Sequence, residues 1–293
     1  MVTRTFAKAP STAPLMLKAA LPAIPGVGSL PGVKHASGGA PDLVLQRTGV
    51  TTDPAHLERY REVCGFGRGE ALPATYPHMA AFGLHMSLMT DTAFPFAPMG
   101  LVHLRNTITQ HRPLTADETF DVSVRAADLR PHPKGRLIDL LTDVTVDGEV
   151  VWTEVTTLFA RGRGGEAEAT PAPLEGLEAP NGVVHWKLAG NLGRRYGAVS
   201  GDRNPIHLYP LTAKAFGFPT NIAHGMWTKA HALAALANRL PDAFRIDVEF
   251  KKPILLPTTV VFGSRESGGS IDLGVVGARK PVTHMVGRVT PLA

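Results

Sequence analysis

The chain has 293 residues, of which 44% are hydrophobic and 19% charged, a balance typical of a globular protein long enough for two domains. No apolar run approaches the roughly 18 residues that a membrane span needs, and the single cysteine excludes an internal disulfide and a multi-cysteine metal site. The formal net charge of +5 favours anionic partners, but no basic block indicates nucleic-acid binding.

The first segment, residues 1–42, is rich in Pro, Gly, Ala and Ser, which predicts an irregular N-terminal arm. Lys18 and Pro22 interrupt its only short apolar stretch, so a secretory signal is not indicated. Together with the single cysteine, this favours a cytoplasmic protein.

A first helix is predicted at 75–90, where His78, Phe82, His85 and Met89 recur at helical spacing. Alternating strand patterns follow it, and two of them are joined by the hairpin-type dipeptide Asp147-Gly148. A helix followed by antiparallel strands is the layout of an α+β module.

A second Gly-, Pro- and Glu-rich stretch at 161–182 predicts an exposed linker between modules at 43–160 and 183–293. The second module repeats the layout of the first, with a helix predicted at 221–236 ahead of further alternating strands. Neither module contains a Rossmann or P-loop glycine pattern, and we expect no cofactor.

Histidines also recur in the second helix. His224 and His231 are separated by the same seven residues as His78 and His85. Because a zinc-binding helix places its histidines four residues apart, we interpret this pair as buried or capping residues and predict no metal site.

The segment YGAVSGDRNPIHLYP, residues 196–210, carries candidate chemistry. Gly201 permits a tight turn, and Pro205 fixes its own φ and keeps Asn204 out of the helical region. Such a stiff turn can present Asp202 and His207 to one space, as general acid/base chemistry requires. The same string is also good turn chemistry, with Asp and Asn bonding their own backbone, and the residues alone leave both interpretations open.

The whole string is more specific. The pattern Y-x-x-x-S-G-D-x-N-P-I-H, followed by I-A-H-G-M at 222–226, resembles the hydratase motif of MaoC-like (R)-specific enoyl-CoA hydratases and 3-hydroxyacyl-thioester dehydratases. The resemblance implies a hot-dog fold, a long helix wrapped by an antiparallel sheet, and the repeated layout resembles the double hot-dog members.

The resemblance also implies the site. It assigns catalysis to Asp202 and His207, and an oxyanion hole to the backbone N–H of Gly225, which starts a predicted helix. We assign to substrate binding Ser200, Asn204 and His224. Tyr209 departs from the family pattern, which often has an acidic or amide residue there.

The implied function is a hydro-lyase that reversibly dehydrates (3R)-hydroxyacyl thioesters of coenzyme A or acyl carrier protein. A hot-dog thioesterase and a non-catalytic acyl-thioester-binding subunit are the alternatives, and a homodimer is left open. The first module lacks the motif, so we expect no acid–base pair there and an acyl tunnel along the apolar stretch from Phe82 to Met89.

Overall fold

A computed structural model describes residues 2–21, 38–165 and 174–292. The elements, in chain order, are β1 (Val2–Phe6), α1 (Thr12–Ala20), β2 (Leu43–Val50), α2 (Pro54–Cys64), α3 (Pro77–Met89), β3 (Leu101–Gln110), β4 (Phe120–His132), β5 (Gly135–Val146), β6 (Glu149–Arg161), β7 (Val184–Leu188), α4 (Leu192–Ser200), α5 (Pro205–Leu208), α6 (Pro210–Ala215), α7 (Gly225–Ala235), a 3₁₀ turn (Ala237–Arg239), β8 (Phe244–Phe250), β9 (Thr258–Ser267), β10 (Ser270–Gly277) and β11 (Thr283–Pro291).

The chain forms two compact units, each made of three segments. The first unit contains Met1–Thr51, Pro77–Asn106 and Glu118–Pro171, and the second contains Thr52–Tyr76, Thr107–Asp117 and Ala172–Ala293. The predicted linker falls partly at 166–173, outside the described residues. Among the helices that the structure describes, none has the length and apolar character of a membrane span.

The first unit is a sheet around a buried helix. Its strands follow the order β1-β2-β4-β5-β6-β3, and α3 packs against β2, β4 and β5. Apolar residues occupy nearly every face of α3, which is the pattern of a helix enclosed on all sides. The predicted helix at 75–90 is confirmed, as is the hairpin at Asp147 and Gly148, whose φ angles of +50° and +84° match a tight two-residue turn.

Within the segment predicted as an irregular arm, residues 2–6 form β1 and residues 12–20 form α1, while residues 22–37 lie outside the described residues. Strand β1 pairs in parallel with β2, and α1 packs against α3. Leu15 and Met16 of α1 contact the buried Phe82 and Met86. Part of the stretch predicted to line an acyl tunnel therefore packs against α1.

The first unit does contain a buried acid and base, against expectation. His78 Nδ1 lies 2.8 Å and 3.0 Å from the two carboxylate oxygens of Glu154. Burial raises the pKa of Glu154, but its interactions with the adjacent His78 ring and the hydrogen bonds from His78 and Asn106 outweigh burial and lower that pKa to about 2.

The second unit has the antiparallel strand order β8-β11-β10-β9-β7. The helix predicted at 221–236 is confirmed as α7, which packs against α2. Trp227 Nε1 donates to Val63 O at 2.9 Å and His231 Nδ1 donates to Cys64 O at 2.7 Å. His231 is thus bonded to a backbone carbonyl, in keeping with its interpretation as a structural histidine.

Candidate active site

The motif segment is a rigid turn between two short helices. Helix α4 ends at Gly201, whose φ of +75° favours glycine, and Pro205 begins α5. Asn204, just before the proline, is extended at φ −55° and ψ 127°. The sequence pattern predicts this backbone path correctly.

Three side chains bond the backbone of the turn itself. The amide N–H of Asp202 donates to Ser200 Oγ at 3.1 Å, and that of Asn204 donates to Asp202 Oδ1 at 3.1 Å. Asn204 Oδ1 in turn accepts from the amide of Ile206 at 3.3 Å and caps α5. The turn interpretation is therefore confirmed, and it holds the Asp202 carboxylate in place rather than competing with an acid/base role.

Ile222 holds His207 in place through two backbone hydrogen bonds, one to the His207 ring and one to the preceding residue. Its Nδ1 lies 2.9 Å from Ile222 O, and the amide of Ile222 donates to Ile206 O at 3.0 Å. Because a carbonyl oxygen only accepts, Nδ1 carries the hydrogen, and in the neutral ring Nε2 keeps the lone pair.

Asp202, His207 and His224 form one cluster. Each offers a carboxylate oxygen or ring nitrogen, and these atoms lie within 4.8 Å of one another. The two imidazoles stack with ring centroids 3.6 Å apart, and His224 Nε2 donates to Asp202 O at 3.0 Å and lies 3.7 Å from Asp202 Oδ2. The structure thus brings together the two residues that the sequence proposes as the catalytic pair.

Burial sets the charge of this cluster. Desolvation lowers the pKa of His207, opposed by the nearby Asp202 charge. Desolvation and the neighbouring His207 lower the pKa of His224 to about 3. Both imidazoles are therefore neutral near pH 7, and the Asp202 side chain, 27% exposed, is the charged group that reaches solvent.

Gly225 is the first residue of α7, as predicted, with His224 as its N-cap residue. The amide N–H groups of the first helical turn have no carbonyl within the helix to bond, and the helix dipole places positive charge there. A Cβ at Gly225 would lie 3.0 Å from the Phe250 ring, so a larger residue would push that ring away.

The residues assigned to substrate binding have other contacts in the structure. Ser200 Oγ, Asn204 Oδ1 and His224 Nε2 each bond the backbone of the motif turn, and both Ser200 and His224 are buried. Their described role is to hold Asp202 and His207, and substrate contact by any of them stays a prediction.

Sequence reasoning did not single out three residues that pack closely against the backbone of Asp202 or His207. A Cβ at Gly193 would lie 1.9 Å from His207 O, and one at Gly197 would lie 2.7 Å from Asp202 O. Buried Asn221 donates from Nδ2 to Gly190 O at 2.9 Å and to His207 O at 3.4 Å. The signal in the sequence is two glycines four residues apart, on one face of α4, immediately before the motif.

Comparison with known proteins identifies the family of the chain. The family model of the MaoC like domain matches residues 180–284. A 3-hydroxyacyl-thioester dehydratase from Mycobacterium tuberculosis, HtdX, is 40% identical over 266 residues, which span 90% of this chain and 95% of the relative.

Solved structures agree. The crystal structure of HtdX matches with a TM-score of 0.75 at 39% identity, over 85% of this chain and 100% of that one. Another Mycobacterium tuberculosis protein, described as a double hot-dog fold, matches with a TM-score of 0.52 at 13% identity, over 83% of this chain and 93% of its own. The chain therefore belongs to the MaoC-like dehydratase family and has the double hot-dog fold.

Proposed function

We propose that the protein is a hydro-lyase that interconverts (3R)-hydroxyacyl and trans-2-enoyl thioesters at the Asp202–His207 site. The observation that carries the proposal is the cluster geometry, in which a fixed neutral imidazole lies beside a carboxylate within 4.8 Å. HtdX, similar to this chain over nearly its whole length, is named as a dehydratase of this class.

Dehydration begins with removal of the proton on C2 of the substrate. His207 Nε2 holds a lone pair because Nδ1 donates to Ile222 O, so Nε2 is the atom that can accept this proton. One ligand atom of Asp202 and one of His207 lie within 4.8 Å of each other, close enough for a single hydroxyl or water oxygen to bond both with hydrogen bonds of about 2.8 Å. We therefore assign to Asp202 the binding of the C3 hydroxyl.

The dehydration neither adds protons to the Asp202–His207 pair nor removes protons from it. The C2–H electrons form the new double bond, the C3–O bond breaks, and the hydroxide leaves as water with the proton taken from C2. The pair thus returns to its starting protonation without a cofactor. Hydration is the same sequence in reverse.

The thioester oxygen gains negative charge while C2 is deprotonated. The Gly225 N–H, at the N-terminus of α7, provides a fixed donor for that oxygen. Losing one such donor typically costs on the order of 10² to 10³ in rate.

Several finer points belong to the same proposal. The acyl group is carried by coenzyme A or an acyl carrier protein, the chain acts in the cytoplasm, and it can pair as a homodimer. The single cysteine and the net charge of +5 are consistent with a reducing compartment and an anionic carrier.

Crotonyl-CoA and a long-chain enoyl-CoA, assayed side by side, test the proposal. We expect loss of the enoyl-thioester absorbance without release of free thiol, and a (3R)-hydroxyacyl product. Stoichiometric thiol release would instead identify a thioesterase. Absence of either reaction with both substrates, in protein that binds them, would identify a non-catalytic binding subunit.

A further inference from the structure

A second polar cluster lies in the core of the first unit, and the hydro-lyase mechanism makes no use of it. It consists of His78 and His85 on α3 and Glu154 on β6, all buried. Each residue offers a nitrogen or oxygen atom, and these three atoms lie within 4.8 Å of one another. Family membership and the motif account for the second unit and leave this cluster unexplained.

The two imidazole rings lie close together although their Cα atoms are about two helical turns apart. Seven helical residues separate Cα atoms by about 10.5 Å along the axis. The His78 and His85 rings nevertheless approach to 5.2 Å between centroids, with Glu154 against His78 at 2.8 Å. Two core histidines with independent partners have no reason to turn toward one another and toward one carboxylate.

Burial makes such a cluster costly. A carboxylate with 0% side-chain exposure is costly unless polar or charged groups surround it, and apolar side chains would fill the same space at lower cost. Two nitrogens and one carboxylate oxygen are donors that Zn²⁺ and similar divalent ions prefer, and the His₂Glu set occurs in known zinc sites.

Outer contacts hold these donors in place. Asn106 Nδ2 donates to Glu154 Oε1 at 2.8 Å and to Thr156 Oγ1 at 3.1 Å. On the other side, His85 Nε2 lies 2.7 Å from Thr142 Oγ1. Metal ligands in proteins are oriented by hydrogen bonds of this kind to a second layer of polar groups.

We propose that His78, His85 and Glu154 bind one divalent transition-metal ion, with Zn²⁺ as the best match, and that this ion ties α3 to β6. In a tetrahedral site with bonds of about 2.0 to 2.2 Å, neighbouring donors are roughly 3.3 Å apart. His78 and Glu154 are already at that spacing within half an ångström, and a rotation of His85 completes the approach. His78 Nδ1 donates its hydrogen to Glu154 and must give up that hydrogen before it can bind the ion.

The test uses full-length protein produced in medium supplemented with Zn²⁺, or with Co²⁺ as a spectroscopic probe, so that the ion is present while the buried site forms. After gel filtration we expect about one ion per chain and, for Co²⁺, the visible absorption bands of tetrahedral coordination. The melting temperature should exceed that of protein produced with a chelator.

Matched variants locate the ion. Glu154→Gln and His85→Gln should each reduce metal content to below about a tenth of an ion per chain. Asp202→Asn is the control, because Asp202, His207 and His224 are the other clustered donors among the described residues; it should leave metal content unchanged.

Two outcomes would overturn the proposal. One is wild-type protein that contains no more than about a tenth of an ion per chain after supplementation. The other is metal that persists in Glu154→Gln and disappears in Asp202→Asn. If the Glu154 and His85 variants fail to fold, the wild-type stoichiometry and the Co²⁺ spectrum still decide the question.

Discussion

At the scale of single residues, the hydrogen bonds of His207 determine what it can do. Nδ1 is committed to Ile222 O, so proton transfer is confined to Nε2. The carboxylate of Asp202 accepts from the Asn204 amide through Oδ1, and its Oδ2 lies 3.7 Å from His224 Nε2.

This arrangement predicts that mutation of either residue lowers kcat strongly, and that mutation of both lowers it little further. Asp202→Asn and His207→Ala should each lower kcat by roughly a hundredfold or more, because each removes half of one acid–base unit. The double variant should be little slower than either single variant. Steady-state kinetics with crotonyl-CoA measure this, and circular dichroism confirms folding. A soluble single variant with near-normal turnover would contradict the assignment.

A second residue-scale prediction concerns the oxyanion donor. Gly225→Pro removes the N–H at a position where proline suits the helix, but it also adds a Cβ against the Phe250 ring. Gly225→Ala adds the same Cβ and keeps the N–H, so it is the matched control. We expect kcat to fall on the order of 10² to 10³ further in the proline variant than in the alanine variant, with KM similar.

Equal kcat values for Gly225→Pro and Gly225→Ala would contradict a role for the amide. The extended ψ of 140° at the preceding His224 already suits a residue before proline, so helix α7 should survive in both variants.

The site residues differ in how readily the sequence reveals them. Asp202, His207 and Gly225 stand in one uninterrupted motif, so local pattern and family resemblance identify them together. Asn221 and Gly193 act on the backbone carbonyl of His207 from outside that motif. Such contacts depend on tertiary packing, and local sequence patterns do not report them.

At the scale of elements, close packing against α4 restricts the position of His207. Its Gly193 faces the backbone of α5 so closely that any Cβ would contact His207 O at 1.9 Å. Helix propensity alone favours alanine over glycine by about 1 kcal/mol, so retaining glycine here costs helix stability. Close packing of α4 on the motif segment explains why residue 193 is glycine rather than alanine.

Gly193→Ala should therefore displace His207. Since a misplacement of about 1 Å can cost a hundredfold in rate, we expect kcat to fall by roughly tenfold to a hundredfold, more than KM changes. The exposed Arg195→Ala on the same helix is the control and should behave as wild type. A Gly193→Ala protein that is more stable and fully active would show that the helix can shift freely.

The sequence predicts a helix or hairpin well when the pattern that indicates it lies within that element. The apolar spacing of α3 and the Asp-Gly hairpin each indicate one structure by themselves. By contrast, β1 and α1 lie in a Pro- and Ala-rich segment and exist because β2 and α3 provide surfaces for them. Tertiary pairing overrides composition there.

At the scale of the whole molecule, buried neutral histidines make stability depend on pH. His224 has a pKa of about 3 when folded, whereas an unfolded histidine has a pKa near 6.5. Between these values the unfolded state binds a proton that the folded state excludes. Stability is therefore full above about pH 6.5 and is lost as the pH falls toward 3.

Urea unfolding at pH 7.5 and pH 5.0 measures this loss. One such histidine contributes about 2 kcal/mol of destabilisation at pH 5. His224→Gln should reduce the loss between the two pH values by about that amount, and the exposed His185→Gln should leave it unchanged. Equal losses in wild type and His224→Gln would show that His224 does not cause the dependence.

The interleaved make-up of the two units has a consequence for synthesis. Residues 52–76, which carry α2, leave the ribosome before the rest of the second unit, and residues 77–106 and 118–171 of the first unit are made in between. At typical rates of synthesis, roughly ten seconds pass before residues 172–293 begin to emerge. During that interval Val63 and Cys64 lack Trp227 and His231, so α2 has no α7 to pack against until the last segment of the chain has been made.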